Sequence, residues 1–251
     1  MKPWWRSWFR QSVPSCLLFL AISPLLCGAG AGAQTFETLT YREVEGKDVA
    51  IHVIVIASGL EEPGLGFRVE LTSTRDGAVV RQTFLTDADL STLSWTFSDP
   101  ARRMELSASR QGGRIVLTGH SRGKKVAREF EGEGPAWNQL FQMGLGAFVK
   151  SEGTSFQFRS IGTQGPGELK IGRFTATRKA GESIDLAGKT VQAVRLRISL
   201  SGLLSIFWHG DYWFRQGDGR FLRYRGKNRS GGPLAVSELV EEQTDGMQKM
   251  D

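Results

Sequence analysis

Three histidines occur in the chain, His52, His120 and His209. The third stands in His209-Gly210-Asp211, where a histidine and a carboxylate two residues apart share one face of a strand. An imidazole oriented by a carboxylate makes a general base, but hydrolysis by that route also needs a nucleophile. No G-x-S-x-G elbow is present, and both cysteines, Cys16 and Cys27, lie near the N-terminus. His52 is set in the apolar run V-A-I-H-V-I-V-I-A, and His120 in a basic turn with Arg122, Lys124 and Lys125. Neither has a partner at metal-ligand spacing, so both read as structural histidines, with no metal and no cofactor implied. Glu61-Glu62, Glu131 with Glu133, and Glu241-Glu242 fall at turns or termini and read as solvated edges. The glycine-rich loops lack the G-x-x-x-x-G-K-[ST] spacing that cradles phosphate. Asn228-Arg229-Ser230 fits a glycosylation acceptor pattern. The expectation is a protein without catalytic residues; a hydrolase using His209 and Asp211 is the least favoured alternative.

Two further groups are dense enough to bind something. Arg195, Arg197, Arg215, Arg220, Arg223, Arg225, Lys227 and Arg229 are interrupted only by Asp211 and Asp218 among nearby acids. Arg195, Arg197, Arg223 and Arg225 would present a surface for anionic headgroups, glycans or a protein partner. The plainer reading is a solvated outer face whose charges discourage edge pairing. Phe207, Trp208, Tyr212, Trp213 and Phe214 crowd one segment and are most simply core. Their excess over what a thin sheet buries leaves room for an apolar cavity.

Short strands must position these groups. Val194, Leu196, Ile198 and Leu200 alternate with Arg195, Arg197 and Ser199, a period of two with one dry and one wet face. A strand over 203–214 and another from Phe221 to Arg225 flank Gly217-Asp218-Gly219 and form a hairpin. Whether its two central residues are Gly217-Asp218 or Asp218-Gly219 stays open, and a slip of one exchanges the faces. Upstream, strands fall at Phe36–Val44, Val49–Ala57, Phe67–Ser73, Ala78–Leu85, Leu93–Phe97, Met104–Ser109, Ile115–Thr118 and Val126–Phe130. Arg75-Asp76-Gly77 and Gln111-Gly112-Gly113-Arg114 mark hairpin turns. The strand Val49–Ala57 is apolar on both faces, as expected of one covered twice. Downstream come Ser155–Ile161, Glu168–Thr177, the short Ser183–Leu186 and Leu234–Val240.

Trp137, Leu140, Phe141, Gly144 and Phe148 recur at helical spacing, with Pro135 in the first turn. Gly144 and Gly146 weaken that helix beyond Met143, at about 1 kcal/mol each against Ala. The fold class expected is all-β with one short helix: a curled antiparallel sheet or half-open barrel, the helix on its concave side. Trp137, Phe141 and Phe148 would then face the inner sheet and line a pocket with Trp208, Tyr212, Trp213 and Phe214.

Residues 1–33 read as a cleavable signal peptide. Lys2, Arg6 and Arg10 precede an apolar segment, Val13 to Leu26, and Ala31-Gly32-Ala33 forms a small-x-small site before Gln34. Lipid attachment is disfavoured: Leu25-Leu26 precede Cys27 where a small residue is wanted, and Cys16 stands before the apolar segment. Cleavage removes three positive charges and no negative ones, taking the net charge from +6 to +3. That mild excess argues against a nucleic-acid binder. The exported chain lacks cysteine, so an ordinary hydrophobic core must stabilise it. No later apolar stretch approaches membrane-spanning length. One β domain is expected over 34–242, with 243–251 a disordered tail.

The segment A-W-x-Q-x-F-x-M-G-like, then F-x-F-R-S-I, then G-L-L-S-I-F-W-H-G-D-Y-W-F-R-Q-G-D-G-R-F-L-R-Y-R-G resembles a group of uncharacterised exported proteins of Gram-negative bacteria. The resemblance spans Trp137 to Glu242. It implies a curled antiparallel sheet, comparable at fold level with the half-barrel of Lol-type lipoprotein carriers, and no established activity. The combined expectation is a periplasmic, non-enzymatic protein binding a lipid or amphipathic segment. A structural or assembly protein of the envelope, acting through protein contacts, is the alternative.

Overall fold

The structure, a computed structural model, describes residues 34–60, 62–163, 169–202, 208–228 and 231–245. Residues 1–33, read above as a signal peptide, Glu61, 164–168, Phe207 with the rest of 203–207, 229–230 and 246–251 lie outside the described residues.

The first eight strands form an antiparallel meander: β1 (Thr35–Glu45), β2 (Asp48–Ser58), β3 (Phe67–Arg75), β4 (Ala78–Thr86), β5 (Thr92–Asp99), β6 (Met104–Gln111), β7 (Arg114–Ser121) and β8 (Lys124–Glu131). A short strand β9 (Ala136–Trp137) and two helical turns, α1 (Phe141–Gly144) and α2 (Gly146–Lys150), follow. The second meander is β10 (Ser155–Thr163), β11 (Leu169–Leu186), β12 (Lys189–Leu200), β13 (His209–Arg215), β14 (Phe221–Gly226) and β15 (Ala235–Asp245). All fifteen strands make one sheet, because β1 pairs with β15 and joins the two meanders. Among the described residues only β9 on β10 is parallel.

Alternation decides the faces. In β12 Val194, Leu196, Ile198 and Leu200 are buried, while Arg195 and Arg197 face outward. In β1 the inward set is Leu39, Tyr41, Glu43 and Glu45, all buried. Bulges at Leu85/Thr86, Thr40/Tyr41, Arg178/Gly181 and Trp213/Phe214 bend the sheet locally. The curl brings both meanders around one interior, with the segment 138–150 on the concave side: the Phe141 ring meets Phe158, Phe174 and Tyr212 at 5.4, 6.4 and 5.5 Å.

The two ends of the sheet, β8 and β9, share no ladder. A side chain joins them instead. Arg159 on β10, 5% exposed, donates to the carbonyls of Glu131, Gly132, Glu133 and Pro135 at 2.5, 2.7, 2.9 and 2.8 Å. Nearby, Gln139 accepts from the Trp137 indole and the Ile161 amide, donates to the Ile161 carbonyl, and gives its backbone N–H to Thr92. The open edge of β8 carries exposed Lys124, Lys125 and Arg128, which discourage pairing with another chain.

Several sequence expectations change here. Trp137 belongs to β9, not to a helix; its 0% exposure comes from packing within the sheet. The helical run begins at Phe141 and breaks at Leu145, between two glycines that cost helix stability. Of the expected strand Glu168–Thr177, residue 168 lies outside the described residues; 169–177 and Ser183–Leu186 belong to one strand, β11, since unbroken β12 pairs with both halves across the Arg178/Gly181 bulge. β2 is not covered twice: Ala50, Ile54 and Ile56 are buried, but Val49 and Ile51 are 39% and 37% exposed. The hairpin uses neither two-residue turn. Arg215 N–H bonds Arg220 O at 2.7 Å, closing a loop over 216–219. β15 extends past residue 242, with Gln243, Thr244 and Asp245 paired to β1, so these three belong to the sheet and not to a tail.

Candidate functional site

A cavity of about 290 Å³ lies inside the curled sheet. Its aromatic part is contributed by Phe141, Phe174, Trp208 and Phe221, with Leu140 and Leu200 beside them. These rings form a connected wall: Phe158 and Phe174 stack at 5.4 Å, and Trp208 meets Phe174 edge-on at 6.0 Å. The wall forms because alternate residues of adjacent strands bring their side chains to one face.

The other part is polar, and three neighbouring strands build it. Glu43 comes from β1, His52 from β2 and Ser73 from β3, with His52 and Ser73 directly opposite in register. His52 Nδ1 lies 2.8 Å from Ser73 Oγ. His52 Nε2 is buried without a hydrogen-bond partner, 3.6 Å from Glu43 Oε2. Behind the carboxylate, Arg75 donates to Glu43 at 2.7 Å and to Glu45 at 3.3 Å. The Asn228 amide donates to the same two carboxylates at 3.2 and 3.4 Å. Burial works to raise the pKa of Glu43, but His52, Arg75 and Asn228 outweigh it and hold the carboxyl below its ordinary value. Glu43 therefore stays ionised at neutral pH.

Tyr212 and Tyr224 line the cavity with their rings 4.8 Å apart, 4% and 7% exposed. Burial, and then the charge of Glu43 among its neighbours, pushes both phenol pKa values upward, so both hydroxyls keep their protons. Glycine makes room for them. Gly210 and Gly226 are register partners, and a Cβ on either would fall 2.7 Å from the Tyr224 ring or 2.5 Å from its hydroxyl.

The aromatic residues singled out from the sequence divide. Phe141, Trp208 and Tyr212 line the cavity. Trp137, Phe148 and Phe214 do not: they are buried core, Phe148 stacking on Phe156 at 5.6 Å beneath the Arg178 guanidinium. Trp213 lies on the opposite face, register partner of Arg195 and Arg223, its indole donating to Glu182 at 2.8 Å. The reason is parity: residues 212 and 213 point to opposite faces of one strand.

The basic set is largely engaged. Arg197 holds Asp211 in a two-point pair at 2.9 and 3.1 Å, Arg195 is 3.6 Å from Glu182, and Arg223 is 2.6 Å from Glu238. Arg215 pairs with Asp218 and Glu242, and Arg220 with Glu37. Arg225 is exposed, opposite Asp211 in the ladder. An anion at this face would compete with carboxylates already in place. Asp211 is thus committed to Arg197, and His209 is exposed, with Ser199 across the ladder. Exchange Asp211→Asn is expected to cost less than about 1 kcal/mol, because the pair is on the surface. A urea unfolding midpoint lowered by more than that would show a structural role beyond the pair.

Sequence reasoning missed the polar part of the cavity. Its signal was present, since period two places Leu39, Tyr41, Glu43 and Glu45 on one face, carrying carboxylates inward.

The fold and cavity define a class, an open barrel-like antiparallel sheet around a mixed apolar and polar interior. Among solved structures the chain is similar to a beta-barrel-like protein of the domain of unknown function DUF1849 from Brucella abortus. That likeness has a TM-score of 0.56 at 9% identity, over 86% of this chain and 100% of the other. It is also aligned with the hypothetical lipoprotein YmcC from Escherichia coli, with a TM-score of 0.37 at 11% identity over 82% and 84% of the two chains. At such identities the first likeness shows the fold alone. No family model and no curated protein matches the sequence. No helix among the described residues is long and apolar enough to cross a membrane.

Proposed function

We propose that this is a periplasmic, non-enzymatic protein that holds one apolar or amphipathic molecule, a lipid or an acyl-bearing segment, inside its curled sheet. The cavity carries this reading: about 290 Å³ of space, partly open to solvent, with an aromatic wall and a few polar groups. Ligand pockets are built in that way, from apolar surface with sparse orienting polar atoms. The export signal read in residues 1–33 supports the compartment. Filling the cavity tests it. Leu71 lines the space and is only partly buried, so Leu71→Trp is expected to abolish binding of an uncharged fluorescent monoacylglycerol analogue. Trp213→Phe, on the outer face, is expected to leave binding unchanged. Equal binding by parent and Leu71→Trp at matched folded fraction would refute the reading.

A structural or assembly role has one observation in its favour. The outer face of β2 exposes Val49 and Ile51, with half-buried Val53 and Val55 in the same stripe. An apolar stripe of that kind fits contact with another envelope protein.

A further inference from the structure

We infer that the cavity selects a single-chain amphipath with a neutral, hydrogen-bond-accepting head, such as an ester or a glycerol, over a free fatty acid or an alkyl amine. This rests on the ligand-binding reading above and specifies its chemistry.

The first observation is charge. Among the described residues that line the cavity, Glu43 is the one carboxylate, and no lysine or arginine lines it. Arg75 stands behind Glu43 and is bound to both Glu43 and Glu45. A ligand carboxylate lodged beside ionised Glu43 would put like charges together in a poorly solvated space.

The second observation concerns hydrogen bonds. Tyr41, nearby, donates its hydroxyl to the Phe221 carbonyl at 2.9 Å. Tyr212 and Tyr224 line the cavity, their rings largely buried. Their protonated hydroxyls can each donate to an acceptor on the ligand. An ester carbonyl or a hydroxyl supplies one without charge.

The third observation weighs against an ammonium head. Glu43 Oε1 already accepts from Arg75 and Asn228, and Oε2 faces His52 Nε2. A bare ammonium would leave water for a carboxylate already engaged by Arg75 and Asn228 and faced by the His52 ring, and would add donors to a group rich in them. The chain of the ligand would run along Phe141, Phe174 and Trp208.

The probes are monolaurin, laurate and dodecylamine, which share one alkyl length and differ in head charge. Each is titrated below its micelle concentration at neutral pH into purified, lipid-stripped protein, with binding read by native mass spectrometry and calorimetry. Monolaurin is expected to bind at least about tenfold more tightly than either ionic probe; against laurate that gap is worth one like-charge contact in a partly solvated site. Glu43→Gln, at matched folded fraction, is expected to strengthen laurate binding and to leave the preference for monolaurin over dodecylamine. Laurate or dodecylamine binding as well as monolaurin overturns this inference while the ligand reading stands. Binding of none of the three, in a protein that also fails to hold the uncharged fluorescent monoacylglycerol analogue, removes both, and binding of that analogue alone overturns this inference.

Discussion

Arg159→Met is expected to lower stability by about 3–5 kcal/mol, the cost range for breaking a buried, charge-assisted network. The guanidinium gathers four carbonyls of the segment between β8 and β9 where the ends of the sheet share no ladder. Met keeps the aliphatic bulk but leaves those oxygens without their donor. Burial, with the charges of Arg110 and Arg173, depresses the Arg159 pKa, so the carbonyls are what compensate for taking this cation out of water. Lysine offers a point charge in place of a planar fork, so Arg159→Lys is expected to recover only part of the loss. Urea unfolding gives the magnitude, and faster amide exchange or proteolysis over 131–135 would localise it. A Met variant within about 1 kcal/mol of the parent would show that this clasp does not hold the seam.

The second large effect is expected at Trp137. Trp137→Ala removes a fully buried indole and is expected to cost about 3–5 kcal/mol, the range for large aromatics in cores. Binding per folded molecule is expected to be unchanged, because Trp137 does not line the cavity. Trp137→Phe separates packing from hydrogen bonding. It keeps most of the apolar contact and loses only the donor to Gln139, whose oxygen retains the Ile161 amide. A loss of about 1–2 kcal/mol is expected there. Near-parent stability of Trp137→Ala combined with weaker ligand binding would mean that the indole faces the ligand after all.

These two residues show how local pattern and tertiary placement divide the information. Trp137 sits at helical spacing from Phe141 and Phe148, yet the chain is extended at 136–137. Pairing with Phe158 and Arg159 outweighs a periodicity that only a few residues support. Arg159 carries no local mark: as the outward residue of F-Q-F-R-S it reads as solvated. It is buried because the segment 131–135, more than twenty residues earlier in the chain, folds over it.

The all-β class, the strand positions and the inward side of β12 were legible in the sequence because each depends on contacts within or between adjacent hairpins. A period of two fixes which residues share a face, and Asp-Gly or Gly-Gly turns fix where one strand gives way to the next. Phe141 could be placed on the inner surface from its helical spacing, and Trp208 and Tyr212 as members of one crowded aromatic block. The tertiary structure decided which side of β13 faces inward, turning Tyr212 and Phe214 in and Trp213 outward to Glu182. It also decided that β1 meets β15, bringing Glu43 of the first strand to Tyr224 and Asn228 near the end of the chain. Period two places Glu43 on the face of Leu39 and Tyr41, but it is silent on what lies across the interior. That depends on how far the sheet curls, a sum of small twists and bulges over many strands that no local stretch of sequence carries.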